Sequence, residues 1–216
     1  ATPTPLPCTP VATAPAVSPA PIVAPFVWET PAQPSGRTFY TVTASAPVEV
    51  AFPSAFAFSM RGQTFENFRL FEDGYIAFSF PESVSSDENQ CLLNIEKPGQ
   101  AIYGWWTNLQ KSTAASQIST FLQGEDRFVV EFKEMTANSG AAQYQVSFQI
   151  VLYRNGDIRL NYLNAPSFQG KPAHATIGVE AKDALFGFQV ACSTDTQVIG
   201  TLPQSGQSYL IKAEYL

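Results

Sequence analysis

The sequence predicts an all-β protein: a two-sheet antiparallel β-sandwich, jelly-roll-like, carrying an extended Pro-rich N-terminal arm. Three observations lead there. The stretch from Ala142 to Leu163, AQYQVSFQIVLYRNGDIRLNYL, alternates apolar and polar side chains, the period of a strand with one face in a core. Turn signals recur between such stretches, with Asn155-Gly156, Asp73-Gly74 and Gly124-Glu125-Asp126 each flanked by alternating segments. No segment places apolar residues at i, i+3, i+4 and i+7 over ten or more positions, so no helix longer than a turn or two is expected.

In chain order, residues 1–36 form a different material from the remainder. Ten of the 17 prolines lie at or before Pro34, and Glu29 is the only charged side chain ahead of Arg37. Proline at that density fixes φ and removes donors, which predicts an extended polyproline-like arm. The arm is nevertheless apolar, with Val17, Ile22, Val23, Phe26, Val27 and Trp28, so it is expected to dock, and to do so on a neighbouring subunit. The competing placement is on its own domain, covering a sheet edge.

Residues 37–216 read as the sandwich domain. RTFYTVTAS, VEVAF and AFAFSM alternate, and TFENFRLF meets FEDGYIAFSF across Asp73-Gly74. PESVSSDENQ is a polar, acidic loop by composition. AIYGWWTNL holds two of the three tryptophans, and QISTFLQ pairs with RFVVEFKEM across Gly124-Glu125-Asp126. In the central hairpin Tyr144, Val146, Phe148, Ile150 and Leu152 face inward and Ile158, Leu160 and Tyr162 continue that face. Gln149, Asn161 and, on the preceding strand, Glu131 and Lys133 are expected in water. Asn155-Gly156 is expected to form a type I′ turn, with positive φ at both residues. AHATIGVEA, ALFGFQVAC and QSYLIKAEY complete the strands.

Several motifs together resemble a known module. They are Phe71-x-Asp73-Gly74-Tyr75-Ile76-x-Phe78, Ile102-x-x-Trp105-Trp106-x-x-Leu109, Arg127 to Phe132, Phe148 to Ile158, and Ala175 to Glu180. The chain from Phe65 to Glu180 resembles a β-sandwich module of secreted bacterial surface proteins, often found beside subtilisin-like proteases or in adhesin-like chains. The resemblance implies a fold and an extracellular setting and carries over no catalytic residue. Trp105-Trp106-Thr107-Asn108 stands where the module has Trp-x-Asp, so one acidic residue of a cation site is missing.

Composition excludes several functions. A net charge of −6 without any Lys/Arg run argues against nucleic acid and against a basic membrane-binding patch. No window approaches 18 apolar residues, so no membrane insertion is expected. The leader ATPTPLPCTP shows no signal peptide, and its low charge and Thr/Pro content fit a mature extracellular or cell-surface chain. No cofactor is implied. His174 stands alone in a loop before a strand, and no Cys-x-x-Cys or Gly-x-Ser-x-Gly occurs. Glu131 with Glu134 could form a hydrolytic pair, and Glu82, Asp87, Glu88 and Asn89 a calcium loop, but both read better as solvated surface. Tyr103, Trp105 and Trp106 could stack on surface glycans.

Cys8, Cys91 and Cys192 leave the disulfide pairing open. Cys91 with Cys192 would close a loop of about a hundred residues, worth roughly 4.7 kcal/mol in the chain-entropy account. Cys8 pairing with either would instead pin the arm. The expected function is a non-enzymatic secreted subunit, self-assembling with copies of itself into a filament, sheath or surface layer through its arm. The alternative is a carbohydrate-binding or adhesion module on a Pro-rich stalk.

Overall fold

A computed structural model describes residues 21–43, 46–79, 89–92, 100–139, 142–166, 173–181 and 186–216. Seventeen strands and two single 3₁₀ turns, at Pro34–Gly36 and Ala213–Tyr215, form its regular structure among the described residues. The strands divide between two large antiparallel sheets and one small ribbon, the sandwich that the alternation predicts.

The main sheet runs in the order β1 (Ile22–Ala24), β17 (Gln207–Ile211), β13 (Ile158–Asn164), β12 (Ala142–Tyr153), β11 (Arg127–Ser139), β10 (Gln117–Gln123) and β2 (Thr38–Tyr40). A short strand, β9 (Leu109–Gln110), adds to β11. The second sheet runs β16 (Val198–Ile199), β15 (Gly187–Ser193), β14 (Ala175–Glu180), β8 (Ala101–Trp106), β7 (Tyr75–Ala77), β6 (Asn67–Phe71) and β3 (Val48–Ala51). The ribbon is β4 (Phe58–Met60) with β5 (Gln63–Phe65). Sequential strands lie side by side, β10 to β13 in one sheet and β6 to β8 in the other, so the predicted hairpins are the framework.

The core lies between the sheets. Phe132, Phe148, Ile150, Leu152, Leu160 and Tyr162 from the main sheet meet Phe68, Leu70, Ile76, Ile102, Trp105 and Ile177 from the second, all fully buried. The sheets approach closely at Gly104, where an added Cβ would lie 2.4 Å from Phe148 Cε2. Tyr162 takes up that proximity by donating its hydroxyl to the Gly104 carbonyl at 2.8 Å. The gap admits no side chain at position 104.

Gly104 and Trp105 also form a bulge. Both amides donate to the Gly74 carbonyl, at 3.1 Å each, so two residues oppose one and the strand's alternation slips. Trp105 therefore turns into the main core, while Trp106 joins Phe71, Tyr75, Ala77, Ala101 and Tyr103 in a second cluster on the far face of that sheet. Residues 89–92 lie against this face. Cys91 is bonded to Cys192 of β15, Asn89 Nδ2 donates to Thr176 Oγ1 and to the Ser193 carbonyl at 3.1 and 2.9 Å, and Leu92 packs on the cluster.

The central turn differs from expectation. Only Gly156 has positive φ, at +87°, and Asn155 does not. Gly156 donates to the Tyr153 carbonyl at 2.9 Å, and Tyr153 donates to the Asp157 carbonyl at 2.9 Å. The loop is thus the three-residue kind ending in a left-handed glycine, not type I′. Asn155 keeps ordinary φ because its Oδ1 accepts the Asp157 amide, at 3.0 Å.

Gly156→Val will lower stability by more than about 1 kcal/mol, since φ resists a β-branched residue and its Cβ would lie 2.7 Å from the Ser59 carbonyl oxygen; denaturant melts measure the loss. The tyrosines make a second test. Burial raises the hydroxyl pKa of Tyr75, Tyr103, Tyr144 and Tyr162, reinforced by the charge of Asp73 at Tyr75 and of Glu180 at Tyr103. A raised folded value means stability that is whole below the ordinary tyrosine pKa, near 10, and falls as pH climbs above it. Phenolate absorbance will show these four silent in the native protein and released together on alkaline unfolding.

Candidate functional site: a strap across the main sheet

Residues 21–40 build the most distinctive feature. Strand β1 pairs with β17 at one end of the main sheet, and β2 pairs with β10 at the other. The chain between them crosses the sheet's outer face. Six strand intervals at about 4.8 Å make roughly 29 Å. The ~15 residues from Ala24 to Phe39 could reach about 46 Å as polyproline chain, which leaves slack for the 3₁₀ turn at Pro34–Gly36.

Beneath the strap lies one continuous cross-strand row. The register places Ala24, Ser208, Asn161, Gln149, Glu131, Ser119 and Phe39 opposite one another in succession, one from each strand. The five inner members are polar and no more than 2 % exposed. Four of them are also bonded in sequence. Ser208 Oγ donates to Asn161 Oδ1 at 2.7 Å, Asn161 Nδ2 to Gln149 Oε1 at 3.4 Å, and Gln149 Nε2 to Glu131 Oε2 at 2.8 Å.

The strap fastens to this row at two points. The Glu29 amide donates to Gln149 Oε1 at 3.0 Å, and Gln149 Nε2 donates back to the Glu29 carbonyl at 2.8 Å. With its bonds to Asn161 and Glu131, the Gln149 amide uses both hydrogens and both lone pairs. The Glu29 carboxylate, 3 % exposed, accepts from Arg127 Nη1 at 2.7 Å. Partial burial opposes the Arg127 charge, but Glu29, helped by Asp126, holds its pKa above the ordinary arginine value. At the second point the Arg37 guanidinium forks onto both Glu131 oxygens, donates to Ser119 Oγ at 3.1 Å, and lies 4.7 Å from the Phe121 ring centre. Phe121, Val129 and Val151 form a small apolar cluster alongside.

This arrangement corrects one sequence-based expectation. Glu131, Gln149 and Asn161 are interior, not solvated, because the strap covers their face. Glu131 is committed to Arg37 and Gln149, and Glu134 sits beyond it at a register break between Phe132 and Met135. In the single chain the arm's described part lies on its own main sheet: Ile22, Val23, Phe26, Val27 and Trp28 are on the strap. Of these, Ile22, Val23 and Val27 remain 41, 69 and 42 % exposed. Val17 and Cys8 lie outside the described residues.

The aromatic platform is also corrected. Tyr103, Trp105 and Trp106 are each no more than 1 % exposed, one tryptophan in each core, so no ring face is offered to a sugar. Cys91 and Cys192 form the disulfide. His174 sits 3.2 Å from Asp195 at the mouth of a strand. Glu82, Asp87 and Glu88 lie outside the described residues, and Asn89 is engaged as described above. Among the described residues no three His, Cys, Asp or Glu side chains gather as metal ligands would, and no helix is long and apolar enough to cross a membrane.

The fold and its disulfide define an extracellular β-sandwich domain, closed by a strap of its own chain. The family model described as NIDO related matches residues 30–212, and the chain belongs to that family of extracellular domains. No curated protein and no solved structure matches the chain. The match begins one residue after Glu29.

Gln149→Leu will remove a side chain that closes four hydrogen bonds and leave the Glu29 amide, its carbonyl and Glu131 short of partners in the interior. A loss of about 3 kcal/mol or more follows, at roughly 1–3 kcal/mol for each stranded group. Denaturant melts will register it, and hydrogen exchange will show the Glu29 amide losing protection.

Proposed function

We propose that this domain is a secreted bacterial structural subunit that performs no catalysis and self-assembles into an extracellular filament, sheath or surface layer through its N-terminal arm. The observation that carries this reading is the placement of the arm. It supplies one terminal strand of the main sheet, β1, and leads directly into the other, β2, with apolar side chains exposed on both: Ile22 and Val23 on β1 and Phe39, 58 % exposed, on β2. Terminal strands are templates for another chain, and proteins that must stay apart guard them with charge. The outer edge of the second sheet is guarded in that way: β3 carries Glu49, held by Asn67 Nδ2 at 2.7 Å. Strands β1 and β2 carry no charged residue, and neither does β16, where Val198 and Ile199 are 66 and 40 % exposed.

The partner these ends fit is a second copy. The motif resemblance to modules of bacterial surface proteins supports a surface setting. The carbohydrate-binding alternative is weaker, because its aromatic residues are interior.

Electron microscopy and sedimentation will show the purified chain as polymers. Val23→Asp combined with Val27→Asp will abolish them while moving stability by less than about 1 kcal/mol, as exposed substitutions do. A wild-type chain that stays monomeric at all concentrations overturns the reading, as does a doubly substituted chain that still polymerises.

A further inference from the structure

Resting on the assembly reading above, we propose that the strap is exchanged between copies: residues 21–29 of one chain occupy the groove of the next, clasped by that chain's Gln149 and Arg127. Four observations carry this.

The groove's polar side chains all come from the body strands, not from the strap. Ser208, Asn161, Gln149 and Glu131 come from four adjacent strands and are bonded in a row, so any copy's groove presents the same row to an occupant. Gln149 reads backbone, and Arg127 reads one carboxylate.

The strap also divides at a natural hinge. Its bonds to the body fall at β1 and Glu29 on one side and at Arg37 and β2 on the other. Between them, residues 30–36 contribute a single hydrogen bond among the described residues, from the Gly36 amide to the Gln33 carbonyl at 2.9 Å. That segment holds Pro31, Pro34 and Gly36. About seven residues extended span about 23–25 Å, roughly five strand spacings, enough to pass from Arg37 at one sheet end to the Gln149 of an abutting copy.

Docking at home leaves the strap half satisfied. It buries the one charge, Glu29, and leaves Val23 and Val27 outward. Exchange keeps every bond of the clasp, because donor and groove are identical in each copy, and brings a second domain beside those side chains. Once the home clasp has opened, the exchanged state costs association entropy but loses no bond, which is why swapping is a low-cost route from monomer to assembly.

Finally, β2 stays with its own sheet in such an exchange, so the donor remains tethered and the order of the remaining core is undisturbed.

The test uses charge reversal in the full chain. Glu29→Lys and Arg127→Glu each place like charges in the clasp. Each variant alone will show a critical concentration for assembly raised about a hundredfold, the scale of a broken buried pair. The double variant E29K/R127E, which restores the pair, will assemble and melt like the wild type, which also controls for folding. The decisive sample is an equimolar mixture of the two single variants. Exchange lets the strap of the E29K chain enter the groove of the R127E chain, where lysine meets glutamate. The R127E chain's own strap, which keeps Glu29, enters the groove of the E29K chain, which keeps Arg127. The mixture will therefore polymerise with the two chains in one-to-one ratio by mass. If the double variant assembles and the mixture does not, the strap works only at home and the exchange is overturned while the assembly reading stands. Assembly of either single variant alone at the wild-type critical concentration also overturns it. If the wild type itself never assembles, both fall.

Discussion

A single side-chain amide, that of Gln149, holds the architecture together. It is inaccessible to solvent on the outer face of a sheet, where a glutamine would otherwise point to water. An amide there is tolerable only with every donor and acceptor used, and the four partners it needs come from both neighbouring strands and from the strap. The dependence runs both ways. Without the strap Gln149 would return to solvent, and without Gln149 the strap would carry Glu29 into the interior with its backbone unpaired. Burial of Glu29 then requires Arg127, and burial of Glu131 requires Arg37. One clasp therefore commits two ion pairs and the ordering of the arm.

Both sheets are covered on their outer faces, by different chemistry. The main sheet has a polar row under a strap held by hydrogen bonds. The second sheet has an aromatic cluster of Phe71, Tyr75, Tyr103 and Trp106 against which residues 89–92 are fastened by a disulfide. The difference follows from the side chains available. A polar row can direct a crossing chain by hydrogen bonds, whereas stacked rings offer area but little direction, and there a covalent bond fixes position. Each sheet is thus packed on both of its faces, once against the other sheet and once against a segment of irregular chain.

Much of the framework was legible in the residues. Alternation in 142–163 gave the inner face of the central hairpin correctly, and the Asp-Gly and Asn-Gly pairs marked real turns. What alternation cannot report is whether a face turned from the core meets water or another segment, so Glu131, Gln149 and Asn161 looked solvated. A signal was present: a row of small and amide side chains is an odd choice for a free surface in a chain with few charges, and Glu29 alone in an apolar arm asks for a partner. The paired tryptophans misled for a related reason. Consecutive residues on a strand point apart, so one of Trp105 and Trp106 looked accessible. Gly104 beside them was the sign of a bulge and of close approach by a second sheet.

The disulfide has a mechanical meaning. Cys91 and Cys192 are 101 residues apart in sequence, and the loop they close contains β8, all of β9 to β14 and nearly all of β15. Any tension applied along the chain passes through that bond instead of through the loop. A stretch with a contour length of some 350 Å, at about 3.5 Å per residue, is thereby withheld from extension. A pulled domain can release only its two flanks, the strap with β2 to β7 on one side and β16 and β17 on the other. Its largest sheet then keeps its central meander intact under load, and the length the domain could gain by stretching is set by one covalent bond.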